Sequence, residues 1–368
     1  MPGELPNSTE LNIGCLVSAF KDTSNSYKFL WFKAILELLK KEQWNKSTFS
    51  FDDLCCYMLA IAWIPSEYFK LNLGVQDQTA TLINSLKPFT DKKPTFHKLV
   101  AHFNSLDSSQ LAEVQKTFTR YVPFRFISSW FSEELRGLKD SQKNRLIQTL
   151  SRRSERTSTP LYSTDNQTIN LDKNWLRYLR QNLAIIEGWV DINWAQYLQR
   201  KNPSVTNILF KLKFEDKRES FSKPIITVWD HLSNRGLKCI YSNQTLKESK
   251  SIDHYLPWSF VAHNEPWNLV PVSTNKTNIN SSKGNALPSE IYLPKFLIAQ
   301  EKFVTCANQI LASNSANKVF ASYSEALHLT KEQILKPNLL KPKLEQLIRI
   351  QSQSAELMGF SRDWIQDS

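Results

Sequence analysis

Ser251-Ile252-Asp253-His254-Tyr255-Leu256-Pro257-Trp258-Ser259-Phe260 is the most informative segment of this chain. Downstream of it come Trp267-Asn268-Leu269-Val270-Pro271 and Asn280-Ser281-Ser282-Lys283-Gly284-Asn285-Ala286-Leu287-Pro288. Asn268-Leu269-Val270-Pro271 reads as a short β-strand. Asn280 reads as the opening of a helix, because Asn is favoured where a helix begins. Lys283 lies three residues on, one turn along the same helical face. Asp253 and His254 are neighbours, and adjacent side chains on an extended strand point to opposite faces. If both serve one reacting group, the pair must sit at a strand end or at a distortion. Upstream, Cys239-Ile240-Tyr241-Ser242-Asn243 leads into the stretch, preceded more loosely by Trp229-Asp230 and Asn202-Pro203.

An Asp-His-x-x-Pro-x-Ser-Phe core, a downstream Asn, then Asn-x-x-Lys and Leu-Pro resemble the HNH endonuclease family over residues 239–288. A lone Asp-His dipeptide would carry almost no information; the combination does. The resemblance implies a β-hairpin and a helix wrapped round one divalent metal, and hydrolysis of a nucleic-acid phosphodiester. Such hydrolysis needs an activated water and a cation to neutralise charge building on the phosphate and on the leaving oxygen. On this reading Asp253 and Asn280 hold the metal through hard oxygens suited to Mg²⁺ or Mn²⁺. His254 takes a proton from water, a role that suits an imidazole titrating near neutral pH. Asn268 joins His254 and Lys283 in the catalytic group, but by pinning the hairpin loop with hydrogen bonds rather than by breaking bonds. Lys283 either approaches the phosphate or neutralises the helix surface.

Two departures from the family pattern have consequences. Many members carry two CxxC pairs that bind a structural zinc. Here the first is reduced to Cys239 and Ser242, and no cysteine follows Pro271 until Cys306. A structural zinc is therefore not expected, and apolar packing must hold the hairpin instead. The connection from Val272 to Ile279 is also longer than in shorter relatives, which makes Asn275 and Asn278 rivals of Asn280. Asn280 is preferred because Asn-x-x-Lys then lines up with the Leu-Pro that follows. His263, between the two strands, reads as solvated, and His231 as a core or surface residue.

Working outward, the chain has 368 residues, 41% apolar, with 11 Trp, 21 Phe and 11 Tyr to build a core. Only 8 glycines are present, which argues against the turn-rich all-β and doubly wound folds and for a helical body. The expected class is mainly α with a small α+β module. The net charge of +11 suits a polyanionic partner. DNA is the first expectation, RNA is also compatible, and a further protein subunit could supply target recognition. The resemblance extends to a setting in bacterial defence against foreign DNA. A silent binding or assembly subunit that keeps the module is the rival reading. Five scattered cysteines without a CxxC pair oppose a disulfide framework, so a reducing cytoplasm is expected. Met1-Pro2-Gly3-Glu4-Leu5 does not read as a secretory signal. The longest apolar run, Leu54 to Pro65, is too short to span a bilayer.

The expected organisation is a helical region at 1–200, the nuclease module at 201–295 and a helical segment at 296–368. Phe29, Phe32, Ile35, Leu36 and Leu39 recur at helical spacing between Asn25 and Trp44. Ser50-Phe51-Asp52-Asp53 starts a buried helix that Pro65 should break. Phe96 to Phe103 and Ser108 to Thr119 read as helices, and Tyr121 to Phe126 as a short extended segment. Leu161-Tyr162 and Thr168 to Leu171 flank Asp165-Asn166 as a small hairpin. Three helical pieces are expected from Asp172 to Asn202, with Trp175, Tyr178, Trp189, Trp194 and Tyr197 in the core. Asn25 to Phe32, Ala62 to Pro65 and Leu73 to Gln78 resemble a helical region that accompanies such modules in bacterial proteins. Lys28, Lys33, Arg125, Arg152 and Arg153 are candidates for phosphate contacts there.

Overall fold

A computed structural model describes every residue except 1–4, 22, 91–94, 154–157, 166, 214–219, 247–249, 275–278 and 367–368. The chain is mainly helical with two small sheets. It divides into two compact units, Met1–Asp216 and Lys217–Ser368.

The first unit opens with α1 (Ile13–Ala19) and α2 (Tyr27–Lys41). The apolar positions read from the sequence, Phe29, Phe32, Ile35, Leu36 and Leu39, are all buried on α2. Strand β1 (Thr48–Ser50) leads into α3 (Phe51–Trp63), which packs on α2. Ser50 caps α3 by accepting from the Asp53 N–H at 3.0 Å, which satisfies one of the orphan donors of the first turn. Pro65 does not break the run as expected. A π-helical turn, Ile64–Tyr68, carries the chain on. Pro65 is the second residue of that element, and helical backbone angles at Trp63 and Ile64 carry the run across it.

Helices α4 (Thr79–Ser85), α5 (Phe96–Asn104) and α6 (Ser108–Thr119) follow. Asp107 and Gln110 close a capping box at the start of α6. Tyr121 to Phe126, expected to be extended, instead contains the helical turn α7 (Val122–Arg125). Pro123 sits in its first turn, where the fixed φ suits a helix, and Val122, Pro123 and Phe124 are buried. Tertiary burial outweighs the β-propensity of Tyr121, Val122 and Phe124 here. Then come α8 (Asp140–Ser151) and the strands β2 (Tyr162–Thr164) and β3 (Thr168–Leu171). The expected hairpin forms, and β1 joins it to give a three-stranded antiparallel sheet in the order β1-β3-β2. Asp165 Oδ1 accepts from the Gln167 and Thr168 N–H groups at the turn; Asn166 lies outside the described residues.

Two helices rather than three occupy 172–202, α9 (Lys173–Gln181) and α10 (Leu183–Lys201). The five aromatics assigned to the core there are all buried. The short α11 (Ile208–Leu212) ends the unit. Among the basic candidates, Lys33 pairs with Asp191, and Arg125 with Asp140 at 3.3 Å. Lys28 Nζ donates to Ala19 O, and Arg152 Nε to Thr164 O, each at 2.8 Å. These cations are engaged in the fold itself.

The second unit begins with α12 (Lys223–Asn234), followed by β4 (Lys250–His254), α13 (Trp258–Val261), β5 (Leu269–Ser273) and α14 (Ile279–Lys283). It closes with α15 (Leu293–Ile310), α16 (Ser313–Leu327), α17 (Lys331–Ile334) and α18 (Pro337–Leu357). One apolar core runs from Val228 and Trp229 on α12, through Val270 and Val272 on β5, to Phe303 on α15 and Leu344 on α18. The helices after residue 295 share this core with the hairpin. A two-stranded hairpin is at best marginal alone. Every residue of β5 is buried, so the later helices complete the hairpin's core. Tyr255 stacks on Phe296 with ring centroids 4.1 Å apart, directly tying the hairpin to α15.

Candidate active site

Strands β4 and β5 pair antiparallel, with Asp253 opposite Val270 and His254 opposite Leu269. His254 is the last residue of β4, so the Asp-His pair stands at a strand end. Pro257 then turns the chain into α13.

Asn268 is fully buried in the 3₁₀ turn before β5. Its Oδ1 accepts from the Leu256 N–H at 2.8 Å, and its Nδ2 donates to Leu256 O at 3.0 Å. The Tyr255 N–H donates to Asn268 O at 2.8 Å. One amide side chain therefore satisfies both backbone groups of a buried residue two positions after His254. Asn268→Ala should leave that buried N–H and C=O without partners, at about 1–3 kcal/mol each. Chemical denaturation is the measurement. A variant as stable as wild type would show that water or another group replaces the amide.

His254 Nε2 lies 2.9 Å from Asn264 Oδ1. An acceptor at that position means that Nε2 carries the proton, which places the imidazole lone pair on Nδ1. The Phe221 ring lies 5.6 Å from the imidazole.

Asp253 is buried between Lys283 and Tyr241. Lys283 Nζ on α14 stands 3.1 Å from Oδ2 and 3.4 Å from Oδ1, and also donates to His254 O at 2.6 Å. The side chains of Lys283 and Asp253 are only 1% and 9% exposed. Lys283 therefore bridges the carboxylate and the backbone beside it, instead of lying on the helix surface. The Tyr241 hydroxyl donates to Asp253 Oδ2 at 3.1 Å. Burial, and then the adjacent Asp253 carboxylate, push the Tyr241 hydroxyl well above its ordinary pKa. It stays a donor across the whole working pH range.

Asn280 is the second residue of α14. Its Nδ2 donates to Ser251 Oγ at 3.0 Å and to Ile252 O at 3.3 Å, both on β4. Its Oδ1 is buried and has no hydrogen-bond partner among the described residues. Asn275 and Asn278 lie outside the described residues. A buried amide oxygen left unpaired is costly. One held against the strand that carries Asp253 is a hard donor of the kind Mg²⁺ or Mn²⁺ takes, with waters and phosphate oxygens filling the other positions. Among the described residues, no three His, Cys, Asp or Glu side chains cluster as a metal site. One carboxylate with one amide oxygen is a sparse donor set, and it fits a hard cation shared with a phosphate.

Backbone hydrogen bonds close the Cys239 turn. The Asn243 N–H donates to Cys239 O at 3.0 Å, the Cys239 N–H donates to Gln244 O at 2.8 Å, and Asn243 takes the left-handed conformation at φ 59°. Cys239, Ile240 and Tyr241 are buried in the core. All five cysteines are free thiols.

Three positioning contacts are invisible in the sequence pattern: Tyr241 on Asp253, Asn264 on His254, and Gln300 on the hairpin. Gln300 is fully buried on α15, donates to Leu269 O at 2.7 Å and Pro266 O at 3.3 Å, and accepts from the Tyr323 hydroxyl. A single Gln between Phe296 and Phe303, on an otherwise apolar face, is the signal that could have shown it. His263 accepts from the Glu265 N–H at 3.3 Å and lies 5.1 Å from the Trp267 ring.

Residues 239–289 match the family model of the HNH endonucleases. No curated protein and no solved structure matches the chain. The matched segment spans the Cys239 turn, the hairpin, α14 and the Leu-Pro that follows, so all five expected site residues fall inside it. Nuclease action on a nucleic acid is the activity that such a module suggests, and this family typically uses a divalent metal. Among the described residues no helix is long and apolar enough to cross a membrane. Over residues 239–289, then, the chain is similar to the HNH endonucleases.

Proposed function

We propose that the protein hydrolyses phosphodiester bonds of DNA, with one Mg²⁺ or Mn²⁺ held by Asp253 and Asn280 and with His254 as general base. The observation that carries this reading is the buried, unpartnered Oδ1 of Asn280, on a side chain bonded to the strand that bears Asp253. The net charge of +11 supports a polyanionic substrate. His254 Nδ1 accepts a proton from the attacking water. The water oxygen then bonds to phosphorus, and the bond to the leaving 3′ oxygen breaks. Asn264 holds the imidazole in that tautomer, and Asn268 holds the loop behind it. When bound, the metal neutralises the charge that develops on the phosphate and the leaving oxygen. Lys283 holds Asp253 and the His254 carbonyl in fixed relation, and its charge adds to the field at the phosphate.

The same Lys283 supports a second reading. Its ammonium already neutralises Asp253, so the module could stand without a metal, as a silent nucleic-acid-binding or assembly subunit. Purified protein with plasmid and single-stranded DNA and RNA, in Mg²⁺, Mn²⁺ or EDTA, separates the two. Cleavage abolished by EDTA supports the nuclease. Intact affinity with no cleavage in any metal supports the silent subunit, and cleavage only with a second protein supports a divided enzyme.

Asn280→Ala should lower cleavage and raise the Mn²⁺ concentration needed for half-maximal rate. The shift should be at least the ~10–100-fold typical of losing an outer-shell partner of a metal site. An unchanged Mn²⁺ titration would move the ligand to Asn275 or Asn278 without removing the nuclease.

The setting we infer is restriction of invading DNA in a bacterium, on the strength of the family resemblance. Cells producing the protein should plate phage less efficiently than cells producing His254→Ala. Equal plating would remove this setting.

A further inference from the structure

We infer that Tyr241 is a positioning residue for Asp253, and that the C-terminal segment 361–366 locks it in place, doing for this hairpin what a structural zinc does in other architectures. The inference rests on the reading of Asp253 as a metal ligand.

The Tyr241 ring is held edge-on by two aromatic partners. Tyr292 meets it at 5.0 Å and 82°, and Trp364 at 5.2 Å and 87°. Tyr292 and Trp364 also meet each other, at 6.2 Å. Edge-to-face contacts of this kind fix a ring's plane, and a fixed ring fixes the direction of its hydroxyl. That hydroxyl donates to Asp253 Oδ2. Lys283 also approaches Oδ2 more closely, at 3.1 Å, than Oδ1, at 3.4 Å. The two donors thus orient the carboxylate through one oxygen and leave Oδ1 the less engaged atom.

Trp364 is placed by backbone bonds. It forms a parallel bridge with Pro288. The Trp364 N–H donates to Leu287 O at 3.0 Å, and the Ser289 N–H donates to Trp364 O at 2.9 Å. The Leu287 N–H donates to Ser361 O at 2.8 Å, and the Gln366 N–H to the Tyr292 hydroxyl at 3.0 Å. Leu287 to Ser289 follow α14, the helix bearing Asn280 and Lys283. The tail therefore grips both sides of the site: the turn whose Tyr241 orients Asp253, and the exit of the helix that brings Asn280. Residues so remote in sequence become a single brace, and held geometry is what a sparse donor set needs.

The test is Mn²⁺ binding to the full chain, without nucleic acid, by electron paramagnetic resonance or calorimetry. Tyr241→Phe keeps the ring and removes only the hydroxyl, and should weaken Mn²⁺ binding about tenfold, as outer-shell partners do, with little change in melting temperature. Trp364→Ala should weaken Mn²⁺ binding to a similar degree, Trp364→Phe should largely restore it, and the double variant Tyr241→Phe/Trp364→Ala should bind no worse than the weaker single variant. Wild-type affinity in Tyr241→Phe overturns the inference while leaving the metal reading standing. Additive losses in the double variant overturn the role of the tail. A wild-type chain that takes up no Mn²⁺ removes the metal reading, and this inference with it.

Discussion

His254→Ala is expected to slow cleavage by about 10²–10⁴-fold, the range over which a general base contributes, while leaving fold and DNA affinity near wild type. The imidazole ends β4 with Nε2 on Asn264 Oδ1, so its removal takes away side-chain contacts and no ladder bond. The rate loss should appear in single-turnover measurements at saturating Mg²⁺, where binding no longer contributes. Asn264→Ala should give a smaller loss, because the base remains but its tautomer and orientation are no longer held. Cleavage by His254→Ala at the wild-type rate would take the general-base role away from this residue.

Asp253→Ala is expected to be the most destabilising of the site substitutions, for a reason separate from the metal. It leaves the ammonium of Lys283, 1% exposed, without its carboxylate. Breaking a buried pair by removing one partner typically costs about 3–5 kcal/mol, because the other charge stays buried and uncompensated. The Tyr241 hydroxyl loses its acceptor as well. The double variant Asp253→Ala/Lys283→Met should recover much of that stability and none of the cleavage. Urea denaturation of the two variants against wild type measures this in the absence of any metal. An Asp253→Ala protein as stable as wild type would mean that the ammonium finds water or another acceptor. Asp253→Asn divides the effects further: it keeps the shape and the acceptor oxygen but loses the charge.

Much of the site's local structure could be read in the linear pattern because neighbours in sequence set it. If Asp253 and His254 serve one group, alternation along a strand puts the pair at an end or a distortion, and His254 closes β4. Ser50 before Asp53 is a start signal that acts within one turn, and it forms its cap. Helical spacing alone picked out the buried positions of α2. Where local reading failed, a longer-range term outweighed propensity. Pro65 does not stop the helical run, which passes from α to π register across it. Tyr121 to Phe126 has strand-forming residues, yet burial of Val122, Pro123 and Phe124 selects a helical turn.

Local sequence is therefore enough for the helical class, for a hairpin and a helix within 239–289, and for the residue types that chemistry on a phosphate would need. Tertiary structure alone decided what those residues touch. Lys283 could have covered the helix surface; α14 instead packs so that its ammonium lands on Asp253 and the His254 carbonyl. Tyr241 is 12 residues from Asp253, and Trp364, far beyond, meets the ring of Tyr241. Gln300 supports the first carbonyl of β5 from 31 residues away. No short-range rule encodes such contacts. They arise because burying β5 requires the later helices, and because every polar group carried into that core must find its partner there.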